Sequence, residues 1–105
     1  MAYIKVKSLT LNNFGCFYKK QGKAYAALKS LQQALDLEKI YLKHFDELTS
    51  TDDIENAFFE HARTYLNMCA INSQLGKHHE AIQKTLMAIT FIKRSIRLLV
   101  PYAQA

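Results

Sequence analysis

Two Gly-Lys steps, Gly22-Lys23 and Gly76-Lys77, interrupt this chain at the same place within two similar segments. Each follows a long amphipathic run. Each glycine is followed five residues later by an alanine, Ala27 or Ala81, and each of these seven residues later by another, Ala34 or Ala88. Thr10 to Leu28 therefore aligns with Thr64 to Ile82. A segment that recurs in this way reads as a supersecondary unit that buries its apolar face against its neighbour. Other breakers are scarce, with one Pro and three Gly in 105 residues. That leaves too few turns for a β-sandwich or barrel, and too few glycines for a phosphate-cradling loop.

Apolar spacing predicts four helices. The first covers 8–21, with Leu11, Phe14 and Tyr18 on one face and Leu9 and Phe17 beside them. Ser8 or Thr10 is the expected cap, and Gly22 the stop. The second runs over 23–45 on the stripe Ala24, Ala27, Leu28, Leu31, Ala34, Leu35 and Leu42. A turn cluster follows at 48–53, where Asp52 and Glu55 have capping-box spacing. The third helix is expected over 53–75, ended by Gly76, and the fourth over 78–99, with Pro101 just beyond. No segment alternates with period two for long enough to argue a strand. The expectation is one all-α domain, 1–105, with antiparallel helix pairs at 8–46 and 53–100 joined by a turn at 47–52.

The residues at the repeated positions carry a resemblance. Leu11, Phe14-Gly15, Tyr18, Gly22, Ala27, Leu31 and Ala34 follow one pattern of large, small and turn residues. Tyr65, Met68-Cys69, Asn72, Gly76, Ala81, Thr85 and Ala88 follow it again. The pattern resembles the tetratricopeptide repeat, a 34-residue helix–turn–helix unit. The second unit departs at Cys69, Asn72 and Thr85, and neither has the closing proline. The resemblance covers about 8–41 and 62–95 and implies a short α-solenoid. In it, Gly15 and Cys69 would let a paired helix approach, with Ala27 and Ala81 serving the same contact from the other side. Leu11, Phe14, Tyr18 and Leu31 would fill the gaps between. Gly22 and Gly76 are 54 residues apart, 20 more than one period. The surplus, within 37–60, is expected to lengthen the second and third helices by roughly ten residues, about 15 Å each. That would project an acidic hairpin beyond the stack.

Members of this family bind other proteins on a concave face lined by the first helix of each unit. The resemblance puts Asn12, Asn13, Cys16 and Lys20 of the first unit on that face, with Arg63, Asn67, Ala70 and Gln74 of the second. Leu9, Lys19, Leu66 and Ser73 lie alongside. Asn13 and Asn67 are equivalent, each three residues after a threonine. An asparagine amide donates and accepts at once, which suits the backbone of an extended peptide. The carboxylate clamp of chaperone-binding members is not reproduced, because Asn12 and Cys16 stand where its Lys and Asn are expected. Two units are few, since about three are needed to bury a continuous core. The fourth helix is apolar around much of its circumference, at Ile82, Leu86, Met87, Ile89, Phe91, Ile92, Ile96, Leu98, Leu99 and Val100. A covering protein chain is therefore expected: another subunit, or a second copy in a homodimer.

Charge and side-chain chemistry narrow the remaining classes. Net charge is +5, but residues 1–35 carry +6, 36–60 carry −6 and 61–105 carry +5. A nucleic-acid binder more often gathers its charge on one face. The rival reading is a helical adaptor that uses its basic amphipathic segment 84–99, with Lys93, Arg94 and Arg97, on an acidic partner such as calmodulin, an anionic membrane or nucleic acid. His44, His61, His78, His79, Cys16 and Cys69 show no Cys-x-x-Cys or His-x3-His spacing, so no metal or cofactor is expected. No nucleophile has a recognisable acid–base partner nearby, which argues against an enzyme. With two cysteines, no secretory pattern and no run of ~18 apolar residues, the expected setting is intracellular and cytoplasmic.

Overall fold

The computed structural model describes the backbone of residues 2–45 and 49–103, and the side chains as far as Ile96. Four helices form: α1 Ala2–Lys20, α2 Ala24–Lys43, α3 Thr51–Gln74 and α4 His78–Ala103. There is no strand among the described residues. α1 and α2 make one antiparallel hairpin, and α3 and α4 a second. The hairpins join where α2 lies on α3, and α3 also touches α1. Among the described residues α4 packs on α3 alone.

The helix ends follow from local chemistry. Gly22 and Gly76 adopt φ of +76° and +75°, left-handed values that a side chain resists. In the first hairpin the Lys23 N–H donates to Tyr18 O at 2.9 Å and the Gly22 N–H to Lys19 O at 3.0 Å. In the second, the Lys77 N–H donates to Asn72 O at 2.8 Å and the Gly76 N–H to Ser73 O at 3.0 Å. These are the two bonds of a glycine C-cap, formed in the same register.

The starts differ from expectation. α1 begins at Ala2, because nothing between residues 2 and 9 breaks a helix. Ser8 and Thr10 do not cap it. Their hydroxyls donate backwards to Lys5 O and Val6 O, each at 2.9 Å. α3 is capped by Ser50, whose Oγ accepts from the Asp53 N–H at 3.1 Å, and not by Asp52. Asp52 and Asp53 instead occupy the first turn, where the helix dipole favours negative charge. α4 continues to Ala103, past Pro101. Only two helical residues follow Pro101, so the ladder bond that its missing N–H removes lies at the very end of the helix. Glu47 and Leu48 of the expected connecting turn, the side chain of Arg97, and those of Leu98, Leu99 and Val100 lie outside the described residues.

The expected projecting hairpin does not form. The helices have 19, 20, 24 and 26 residues, so each pair is matched in length. Where the extended part of α2 begins, Leu37 shares a hollow with Lys7 and Leu11 of α1. The extended part of α3 meets α4 through Phe58 and Phe91, with ring centroids 6.0 Å apart.

The core comprises Ala27, Leu31, Leu35, Ala62, Tyr65, Met68, Ile71 and Ala88. A Cβ at Gly15 would lie 2.6 Å from Leu31 Cγ, so α1 and α2 approach closely only because that side chain is missing. At the equivalent place in the second hairpin, Cys69 Sγ lies 3.0 Å from Thr85 Oγ1. Glycine against leucine becomes cysteine against threonine, and volume lost on one helix is regained on the other. Phe14 departs from its expected role as a gap-filler. It is half exposed and stacks on Tyr18 at 6.3 Å.

Candidate functional site

A cleft of about 370 Å³ opens between α1 and α3. Gly15, Leu31 and Ile71 line it from three helices, together with Cys16, Lys19, Lys20, Asn67 and Gln74. Its position follows from Gly15, whose bare backbone lets the buried Leu31 of α2 reach the α1–α3 seam. Lys19 and Lys20 come from the last turn of α1, where cations suit the helix dipole. Cys16 is an exposed free thiol. Leu31 and Ile71 are buried at the base of the cleft, and its accessible wall offers the Gly15 backbone, a thiol, two lysine side chains and two side-chain amides. It can take an apolar side chain beside a carboxylate.

Of the eight residues expected on the concave face, Cys16, Lys20, Asn67 and Gln74 meet in this cleft. Asn12 does not. It is buried between α1 and α3, where its amide donates to Thr64 Oγ1. The Asn67 amide donates to Asn12 Oδ1 at 2.9 Å and lies 3.9 Å from Cys16 Sγ. Asn13 is exposed and lines a different hollow with Thr10, Phe14 and Phe17. Asn13 and Asn67 are equivalent in sequence yet face different surroundings, because α3 has α1 packed before it. Arg63 is exposed and Ala70 half-buried on α3, and neither lines the cleft.

Sequence reasoning missed the polar chain behind the cleft. Glu38 of α2 is buried. Its Oε1 lies 2.8 Å from His61 Nδ1, and its Oε2 accepts from Thr64 Oγ1 at 2.8 Å. Thr64 also reaches Glu60 O at 3.1 Å and accepts from Asn12. Three helices are thus tied by one string, Asn67–Asn12–Thr64–Glu38–His61. The signal was present: Glu38 continues the stripe Leu31, Leu35, Leu42 as a charge in an apolar row. His61 therefore has the carboxylate partner that no spacing suggested. It is fully buried, edge-on to Tyr65 at 5.0 Å and to Phe91 at 4.5 Å, and its Nε2 makes no hydrogen bond. Neither Glu38 nor His61 lines the cleft. Burial raises the Tyr65 pKa, and the charges of Glu38 and Asp36 push it the same way.

The basic segment of α4 is partly engaged. Lys84 Nζ lies 5.9 Å from the Tyr65 ring and the Arg94 guanidinium 5.1 Å from the Phe91 ring. Lys93 is exposed. Among the described residues no group of three His, Cys, Asp or Glu is placed to hold a metal ion, and no helix is long and apolar enough to cross a membrane. Compared with known proteins, the chain matches no family model, no curated protein and no solved structure.

Proposed function

We propose that this chain is a non-catalytic protein-interaction module of tetratricopeptide type. It receives a peptide segment of another protein in the α1/α3 cleft and assembles with other subunits through its outer helices. The observation that carries this is the meeting of Cys16, Lys20, Asn67 and Gln74, drawn from both sequence units, above the buried Leu31 and Ile71. The matched ligand is a peptide with a leucine-sized side chain next to an Asp, a Glu or a C-terminal carboxylate. The free thiols Cys16 and Cys69 suit a reducing intracellular setting.

The test is an NMR titration of the labelled chain with peptides of that composition. Shifts centred on Gly15, Lys19, Lys20 and Gln74, lost in the charge reversal Lys20→Glu, are expected. Binding that survives Lys20→Glu and shifts only α4 would sink the reading. It would favour the adaptor that uses α4 on an acidic partner, whose exposed Lys93 beside Ile89 and Ile96 supports it.

A further inference from the structure

The two ends of the molecule are related by its own internal junction. Inside the chain, α3 docks on the first hairpin through Thr64, Met68 and Ile71, all buried, with Asn67 at the edge. The residues 54 positions earlier are Thr10, Phe14, Phe17 and Asn13 of α1. Among the described residues no helix lies in front of them: Phe14 is 49% exposed, Phe17 is 52% exposed, and the four wall a hollow of about 300 Å³. Tyr3 and Val6 continue the stripe, exposed by 74% and 63%.

The receiving side is repeated too. On the first hairpin, Gly15, Lys19 and Leu31 border the cleft to which α3 contributes Asn67 and Ile71. Their equivalents, Cys69, Ser73 and Thr85, line an open groove of about 330 Å³ between α3 and α4, with Ala81, Ile82 and Leu86. Ile82 and Leu86 are 59% and 58% exposed. One end thus carries an unpartnered docking face and the other an unpartnered receiving groove. The interface that fits them together already exists once within the chain.

We propose that a second copy of this chain docks its α1 into the α3/α4 groove, head to tail. This deepens the assembly part of the function above and leaves the α1/α3 cleft untouched. The facing helices α1 and α3 are opposite in net charge, whereas the α4 wall of the groove is basic, with Lys84, Lys93 and Arg94 against Glu80. α1 holds Lys5, Lys7, Lys19 and Lys20 and no acid, whereas α3 holds Asp52, Asp53, Glu55 and Glu60 against Arg63. With α1 of the second copy running parallel to α3, as α3 runs beside α1 within the chain, the register of the Asn12–Thr64 contact sets Lys5 level with His61, next to Glu60, and Lys7 level with Arg63. Two α4 cations, Lys84 and Arg94, already lie over the Tyr65 and Phe91 rings. The new junction lacks the Asn67–Asn12 bond, because Leu66 stands in the place of Asn12. It gains phenylalanines where the internal junction has Met68 and Ile71. A head-to-tail interface does not close on itself, so it builds open chains rather than a dimer.

Two exposed substitutions test this by sedimentation and light scattering over a concentration series, with circular dichroism to check folding. Phe17→Asp spoils the docking face and Leu86→Asp spoils the groove. The wild type should grow in mass with concentration, past two chains and without a plateau. Each variant alone should stay at one chain. An equimolar mixture should rise to the mass of two chains, since the intact α1 of one variant meets the intact groove of the other. A mixture that stays monomeric overturns the proposal. So does a wild type that is monomeric throughout, or a dimer abolished by Leu86→Asp and untouched by Phe17→Asp, which would mark a symmetric α4–α4 contact. Peptide titration of the monomeric variants reads the α1/α3 cleft separately, so the two proposals fail independently.

Discussion

The two hairpins share a turn, a backbone register and paired alanines, yet they solve the same packing problem with different atoms. In the first, Gly15 yields its whole side chain to Leu31. In the second, Cys69 and Thr85 divide the space and make a polar contact. The seam with α3 differs as well. Glu38 holds His61 and Thr64 there, while the residue 54 positions later on α4 is the partly buried apolar Ile92. The lesson is that the backbone geometry of a helix pair sets a total volume at each contact. Which helix supplies it, and whether it is polar, depends on what lies on the far side. α2 has α3 against it, and the equivalent face of α4 has no third helix among the described residues.

The sharpest way to break this comparison is Glu38→Ala. It strands the buried His61 and Thr64 and should cost about 1–3 kcal/mol for each polar group left without its partner. Chemical denaturation reads it. A cost similar to that of an exposed substitution would mean the string is not structural. Next is Leu31→Ala, expected to cost about 2–5 kcal/mol by opening a cavity under Gly15. Thr85→Ala should cost about 1 kcal/mol, since the half-buried hydroxyl makes a modest hydrogen bond. Equal losses would show that the two contacts are energetically the same.

Smaller effects sharpen what the hairpins share. Gly22→Ala and Gly76→Ala should each cost about 1–2 kcal/mol, because both sites hold left-handed backbone with open space around the absent Cβ. Thermal melts of the single variants should show equal losses, and the double variant reads the coupling between the two turns, which meet where Lys77 Nζ lies 5.0 Å from the Tyr25 ring. Least of all, alkaline pH should weaken the fold through Tyr65. Its pKa is raised by burial, so the neutral phenol is favoured in the folded chain. The stability it contributes is complete below the ordinary phenol pKa of about 10 and falls as pH rises through the folded value. Melting temperatures of wild type and Tyr65→Phe should therefore coincide near neutrality and diverge above pH ~10, with the phenylalanine variant the more resistant.

Much of the fold was legible from residue spacing. Four helices, both glycine stops, and the buried Ala27, Ala34, Ala81 and Ala88 follow from local conformational cost and from periodicity, which act within a few residues. The starts of α1 and α3 were misread because Ser8, Thr10, Ser50 and Asp52 all have capping chemistry. Only the path of the chain decides which one sits at Ncap. The cleft was half legible: Cys16, Lys20, Asn67 and Gln74 meet there, while Asn12 turns inward.

What the sequence determined by itself was the period: where helices run, where glycine ends them, and that the pattern occurs twice. What only the tertiary structure decided was which equivalent positions acquire a neighbour. Thr10 and Thr64, or Asn13 and Asn67, are alike in residue and register. One member of each pair faces outward from α1 and the other is held against the first hairpin. The reason is that helix formation is governed by contacts three and four residues apart, which a repeat copies faithfully. Burial depends on what arrives from the far side, and among the described residues only the second copy of the pattern has a hairpin packed in front of it.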